Sequence, residues 1–144
     1  MLKVLSLVSL LLMVVALVGL YMGDSLFSPS PVVIVSQCLA AVLMLWARIT
    51  FGSRSFHAAA NPTAGGLVTT GPYRFIRHPI YTAACLFGWA GALHGGSVLA
   101  LLLGLLLFAG AVGRMLCEER LVAGVYPEYQ AYAKATKRMI PYVF

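Results

Sequence analysis

The sequence predicts an all-α, polytopic membrane protein with four transmembrane helices and a C-terminal interfacial helical segment. Three observations carry that expectation. The 144 residues are 61% hydrophobic and only 10% charged, with a mean hydropathy of +0.92, against a soluble average of roughly 45–50% apolar and 25% charged. Long apolar stretches recur without the strict alternation of strands. The ten lysines and arginines fall in segments that a four-span chain would gather on one side of a bilayer.

Each element follows in order. Residues 4–22 carry no charge and match the roughly 20 residues that cross about 30 Å of hydrocarbon, so a first span is expected at about 3–22. Lys3 in front of it raises the rival reading of a secretory signal, but no A-x-A cleavage site precedes "GDSLFSPSP". Pro31, after "SPSP", suits the first turn of a second helix, expected at 31–51 with Arg48 and Arg54 marking its far boundary. Turn signals "NPTAGG", "TTGP" and "HP" then make the stretch to Pro79 a long non-helical loop. A third run at 79–94 and a fourth at 97–115 are separated by "HGGS". Both look short for perpendicular spans, which predicts a tight helical hairpin in locally thinned lipid. Residues 116–144 turn polar and aromatic, and Pro127 should break or start a short interfacial helix bearing Tyr129 and Tyr132. The whole chain, 1–144, reads as one domain.

The charges encode topology. Lys3 precedes the first stretch; Arg48, Arg54, Arg74 and Arg77 lie between the second and third; Arg114, Arg120, Lys134, Lys137 and Arg138 follow the fourth stretch or close it. The positive-inside rule then places both termini and the central loop in the cytoplasm, which needs an even number of spans. The formal charge of +6 is accounted for in this way, and no nucleic-acid partner is expected. Cys38, Cys85 and Cys117 are far apart and form no C-x-x-C, so they read as packing residues and no metal site is expected.

Two polar clusters stand out on the cytoplasmic side. The first is "GPYRFIRHPIY", residues 71–81, where Gly71-Pro72 makes a turn, His78 is biased away from helical geometry by the following proline, and Pro79 opens the third helix. That helix start is a natural seat for an anion. Arg74 and Arg77 read here as headgroup anchors. The second cluster is "RMLCEERL", in which Arg114 and Glu118 are four apart and share a helix face. Basic-before-acidic is the poorer order for a stabilising pair, so stability explains it weakly. Glu118 and Glu119 are two of only four acids in the chain, and ionisable groups near membrane depth are commonly functional.

Together "LVTTGPYRFIRHPIYTA" and "RMLCEERLVAGVYPEYQAYAKATKRMIP" resemble the isoprenylcysteine carboxyl methyltransferases and related phospholipid methyltransferases of membranes, as a short, bacterial-type member. The resemblance covers about residues 65–141 and departs at Val122, where the pattern E-E-x-x-L has leucine, and at "VYPEY". It implies S-adenosyl-L-methionine as cofactor and a lipophilic small molecule or lipid as acceptor, in a bacterial or archaeal inner membrane. It places the cofactor in a loop at about 57–78 and the C-terminal segment, against Gly65, Gly66, Leu67, Val68, Tyr73, His78, Pro79, Ile80, Tyr81, Glu118 and Glu119. Arg114 matches the family's substrate-orienting arginine, so Arg114 and Glu118 are the expected catalytic pair. An isoprenylcysteine-like carboxylate is the expected acceptor, with phospholipid or thiol acceptors as alternatives.

The chemistry of the residues agrees. Methyl transfer from a sulfonium is an in-line displacement that asks chiefly for alignment and exclusion of water. An ionised carboxylate needs no general base, and a guanidinium can orient it. No G-x-G-x-x-G is present, so a soluble Rossmann mode is not expected. A sterol-reductase-like enzyme using NADPH would share a related helical core but normally more spans. A small transporter or scaffold is the non-enzymatic reading; "GLYMG" and "GALHG" would allow a homo-oligomer, but the first two spans carry no intramembrane acid.

Overall fold

The computed structural model describes residues 1–52 and 66–144, and the described residues form five α-helices and no strand. They are α1 (Leu2–Met22), α2 (Pro31–Phe51), α3 (Pro79–Gly95), α4 (Val98–Ala123) and α5 (Tyr129–Ala135), with a 3-10 turn at Gly71–Arg74 before α3. Prolines open α2 and α3 at the first helical position, where the missing N–H costs nothing. Gly96, in the left-handed region at φ +61°, closes α3, and Ser97 caps α4 by accepting the Ala100 amide at 3.0 Å. The α3–α4 hairpin therefore turns on two residues.

Among the described residues three helices, α1, α2 and α4, are long and apolar enough to cross a membrane. α3 has 17 residues, about 25 Å at 1.5 Å per residue. The expectation of a short fourth run at 97–115 is corrected: α4 has 26 residues and carries "RMLCEER" as its own last turns. No proline interrupts α4 and no glycine lies between Gly113 and Gly124, so the backbone ladder continues past the point where the side chains turn polar.

Burial is inverted relative to a soluble protein. Val4, Leu11, Val32, Ile49 and Leu105 point outward and are largely exposed, while α1 turns Ser6, Ser9, Met13, Ala16 and Leu20 inward and α4 turns Ala100, Gly104, Leu107, Gly110 and Ala111 inward. With no hydrophobic drive between helices in lipid, close packing of small residues supplies the attraction. α1 packs mainly on α4 and α2 on α3. Antiparallel registers follow from the pairs in contact: Ser6 meets Arg114, whereas a methyl on Gly19 would touch Leu103; Gln37 meets Phe87, whereas Phe51 meets Tyr73. The start of α1, the end of α2, the start of α3 and the end of α4 thus share one end of the bundle. Cys85 and Cys117 are buried, while Cys38 is exposed.

At the opposite end the α1–α2 connection is drawn inward. Buried Gln37 donates from Nε2 to the Leu26 carbonyl at 2.7 Å and to that of Phe87 at 3.3 Å, which satisfies backbone that lipid could not. Gly91 lets this loop approach, since a methyl there would lie 2.2 Å from the Leu26 oxygen and 2.5 Å from the Ser25 oxygen. Gly91→Ala is expected to cost about 1–3 kcal/mol, the usual range for overpacking, read as a lower thermal midpoint in detergent. Gly19→Ala, whose methyl would meet the mobile end of Leu103, serves as the milder comparison. Equal midpoints for the two would show that the loop yields freely.

Candidate functional site

The polar end of the bundle is built from three pieces: the 3-10 turn with the chain leading into α3, the last turns of α4, and the C-terminal segment. The turn buries Tyr73, whose ring lies 5.4 Å from that of Phe51 on α2. The C-terminal segment is strapped across the chain before α3. The Arg77 amide donates to the Lys137 carbonyl at 2.7 Å and the His78 amide to that of Arg138 at 2.9 Å, and Ile76 pairs with Lys137 in a parallel bridge. The Thr82 hydroxyl donates to the Met139 carbonyl at 3.1 Å, and Met139 itself enters the core beside Tyr81, Cys85 and Met115. From α5, the Tyr132 hydroxyl donates to the Tyr73 carbonyl at 2.7 Å.

Two adjacent acids divide this end into two clusters. Tyr81 donates its hydroxyl to Glu118 Oε1 at 2.5 Å. The same hydroxyl oxygen accepts from Arg114 Nε at 2.6 Å, and that nitrogen lies 3.4 Å from Glu118 Oε1. Arg114 is 5% exposed and its Nη1 also reaches the Ser6 carbonyl of α1 at 3.4 Å. The neighbouring Glu119 is gripped by three bases: Arg77 Nε and Nη2 at 3.1 and 3.0 Å, His78 Nε2 at 3.1 Å, and Arg138 through Nε and Nη2 at 3.0–3.2 Å. Arg77 Nη1 donates besides to the carbonyls of Ala133 and Thr136.

Burial raises the Tyr73 phenol above its usual range, with the Glu118 carboxylate adding to it. It pushes Tyr129 and Tyr132 up to about 12. All three therefore stay protonated at physiological pH and serve as neutral hydrogen-bond groups. The Arg138 guanidinium is raised by its hydrogen bond to Glu119.

Of the residues expected from sequence, Tyr81, Arg114 and Glu118 make one contiguous cluster, and His78 borders it, with Nδ1 3.9 Å from Glu118 Oε2 and its ring 5.8 Å from that of Tyr81. Tyr73 is within electrostatic reach of Glu118. Pro79 is buried and Ile80 half-buried at the start of α3. Leu67 and Val68 are half-buried and Gly66 is exposed in the segment before the turn, while Gly65 and the loop positions before it, 53–64, lie outside the described residues. Arg77 is corrected: its side chain is 8% exposed and pairs with Glu119, so it does not anchor at headgroups. Arg74 is exposed. Arg138 and the Ser6 carbonyl were not foreseen. A carbonyl leaves no side-chain signal, and Arg138 reads locally as one more topological cation.

A family model for phospholipid methyltransferases matches residues 50–129, which contain both clusters except Arg138 and Ser6. The chain is also 35% identical over 106 residues to the cobalt-zinc-cadmium resistance protein CzcN of Cupriavidus metallidurans; the match covers 72% of this chain and 44% of that protein, so the chain spans less than half the length of this relative. No solved structure matches the chain. Apolar helices long enough to span a bilayer and the matched segment agree with an integral membrane protein, and the chain belongs to the phospholipid methyltransferase family.

Proposed function

We propose that the chain is an S-adenosyl-L-methionine-dependent methyltransferase for a lipophilic acceptor, working at the Tyr81–Arg114–Glu118 cluster. The observation that carries the reading is the state of Glu118. Its Oε1 is committed to Tyr81 and Arg114, while Oε2 has no hydrogen-bond partner among the described residues, the His78 Nδ1 lying 3.9 Å away. Its side chain is 27% exposed. A fixed carboxylate with one free oxygen at the mouth of a buried polar pair fits the hydroxyl and ammonium donors of this cofactor. The aromatic faces of Tyr81 and Tyr73 and the ring of His78 suit its adenine and sulfonium.

In this reading α3 is a fourth span, both termini face the cytoplasm, and the acceptor enters from the bilayer. When bound, S-adenosyl-L-methionine supplies an electrophilic methyl on a sulfonium. The chain's own residues bind and orient. Glu118, Tyr73, His78, Pro79, Ile80 and Tyr81, with Gly65, Gly66, Leu67 and Val68, hold the cofactor, and Glu119 serves the same site by fixing the His78 ring. Arg114 orients the acceptor by exchanging Tyr81 or the Ser6 carbonyl for an acceptor oxygen. The apolar helix walls exclude water, which strengthens each polar contact.

An isoprenylcysteine-like carboxylate is the acceptor that a buried guanidinium suits best. A phospholipid amine is the second reading, favoured by the description of the matched family. Calorimetry of the detergent-solubilised protein is expected to show saturable S-adenosyl-L-methionine binding that Glu118→Gln weakens; no binding by the folded wild type would overturn the reading. A screen with labelled cofactor against prenylcysteine, phosphatidylethanolamine and small thiols then assigns the acceptor.

A further inference from the structure

We propose that the C-terminal segment forms a second binding site, for a phosphate group carried by an anionic lipid headgroup or free in solution, apart from the methyl-transfer cluster. A cavity of about 200 Å³ lies against the strap, and its lining includes Arg77, Lys134, Lys137 and Arg138 together with Val143 and Phe144. None of Tyr81, Arg114 and Glu118 lines it. The cavity is separate from that cluster, and it shares Arg77 and Arg138 with the Glu119 cluster.

The side-chain charges at this cavity are unbalanced. Four cations face it, and among the described residues the acidic side chain bonded to any of them is Glu119, which Arg77 and Arg138 already share. The ammonium groups of Lys134 and Lys137 have no hydrogen-bond or ion-pair partner among the described residues, and both side chains are exposed. Arg138 spends Nε and Nη2 on Glu119, which leaves Nη1 for a ligand. Arg77 has nearly all its donors in use and contributes charge. Two ammonium point charges and one fixed guanidinium edge suit the several acceptor oxygens of a phosphate.

The walls are organised and amphiphilic. The amides of Met139 and Ile140 both donate to the Phe144 carbonyl, at 2.6 and 2.7 Å, so the tail folds back and sets Val143 and Phe144 beside the cations. The Arg138 guanidinium lies 5.7 Å from the Phe144 ring centre, and Ile140, Tyr142 and Val143 are exposed next to it. Cations bordered by apolar side chains, at the polar end of a bundle with lipid-facing helices, match a phosphate with acyl chains attached. Diffuse attraction of scattered lysines to a charged leaflet would require neither the cavity nor the folded tail.

The test uses the full chain in nonionic detergent at roughly physiological salt, where distant charges are screened. It is titrated calorimetrically with inorganic phosphate, with short-chain phosphatidic acid and with short-chain phosphatidylcholine. Saturable binding of phosphatidic acid at one site per chain is expected, with at least about a tenfold loss in the Lys134→Gln/Lys137→Gln double variant, since each surface lysine adds appreciably to anionic-lipid affinity. Both lysines are exposed, so the variant should keep the wild-type thermal midpoint, and S-adenosyl-L-methionine binding should not change. Saturation by inorganic phosphate as well makes the phosphate itself sufficient; saturation by the lipid alone makes the headgroup with its chains the ligand, and either result upholds the site. A non-saturating isotherm, or equal affinity in wild type and double variant, overturns it.

Discussion

Arg114→Ala is expected to lower methyl transfer by at least about 100-fold, the scale set by misplacing a reactant by an ångström, while S-adenosyl-L-methionine affinity stays within a few-fold of wild type. The geometry separates the two effects. Tyr81 donates to Glu118 at 2.5 Å without help from the arginine, so the carboxylate keeps its place when the guanidinium is gone. Glu118 is partly open to water and tolerates the loss of one charged neighbour. In the proposed reading the acceptor depends on Arg114, the cation that sits with Tyr81 and the Ser6 carbonyl in the buried corner between α1, α3 and α4. Arg114→Lys should recover only part of the rate, since a lysine offers a point charge where a planar fork is needed. Transfer of labelled methyl, measured beside calorimetric cofactor affinity, decides the matter. Parallel loss of both would place Arg114 in the cofactor site or in the fold.

How far the sequence foretells this arrangement depends on the range of each interaction. The apolar stretches are legible because length and charge alone define a span, and the starts of α2, α3 and α4 are marked by Pro31, Pro79 and Ser97. The Arg114–Glu118 pair is legible because i, i+4 spacing fixes a shared face. Tyr81 meets Glu118 because the hairpin between them is short, a consequence of the "HGGS" turn. α4 was harder to delimit, since a change from apolar to polar side chains marks a membrane boundary and not the end of a backbone ladder. Gln37 is the missed signal that was available: a lone amide in an apolar helix must find a partner, and it finds the Leu26 carbonyl.

The cluster around Glu119 lay beyond local reasoning. Its partners are 42, 41 and 19 residues away in sequence, and no periodicity connects them. What the sequence does carry is the doublet of acids, and the structure gives its two members different neighbours. Successive residues on a helix point about 100° apart, so Glu118 faces Tyr81 and Arg114 while Glu119 faces the strap. Among the described residues, one carboxylate keeps an oxygen without a hydrogen bond and the other is engaged through both oxygens.

Glu119→Gln is therefore expected to be the most destabilising single change at this end of the molecule, costing about 3 kcal/mol, the lower end of the range for breaking a buried ion pair. The glutamate side chain is 13% exposed and, among the described residues, is the only acidic side chain hydrogen-bonded to Arg77, His78 and Arg138. A neutral amide of the same shape leaves Arg77, itself 8% exposed, without a counter-charge. It also loosens the hold of α4 on both the chain before α3 and the C-terminal strap. The expected readings are a clear drop in thermal midpoint in detergent and faster proteolysis after Ala123, where the strap leaves α4. Glu118→Gln, one residue away, should lose cofactor affinity with a much smaller change in midpoint, because among the described residues its carboxylate is held closely by Tyr81 and Arg114 alone and is partly solvated. If Glu119→Gln instead kept the wild-type midpoint and lost cofactor binding, Glu119 would be a direct ligand and the strap would be held by its backbone bonds to Arg77 and His78. The opposite responses of two neighbouring glutamates would thus separate the residue that binds from the residue that positions.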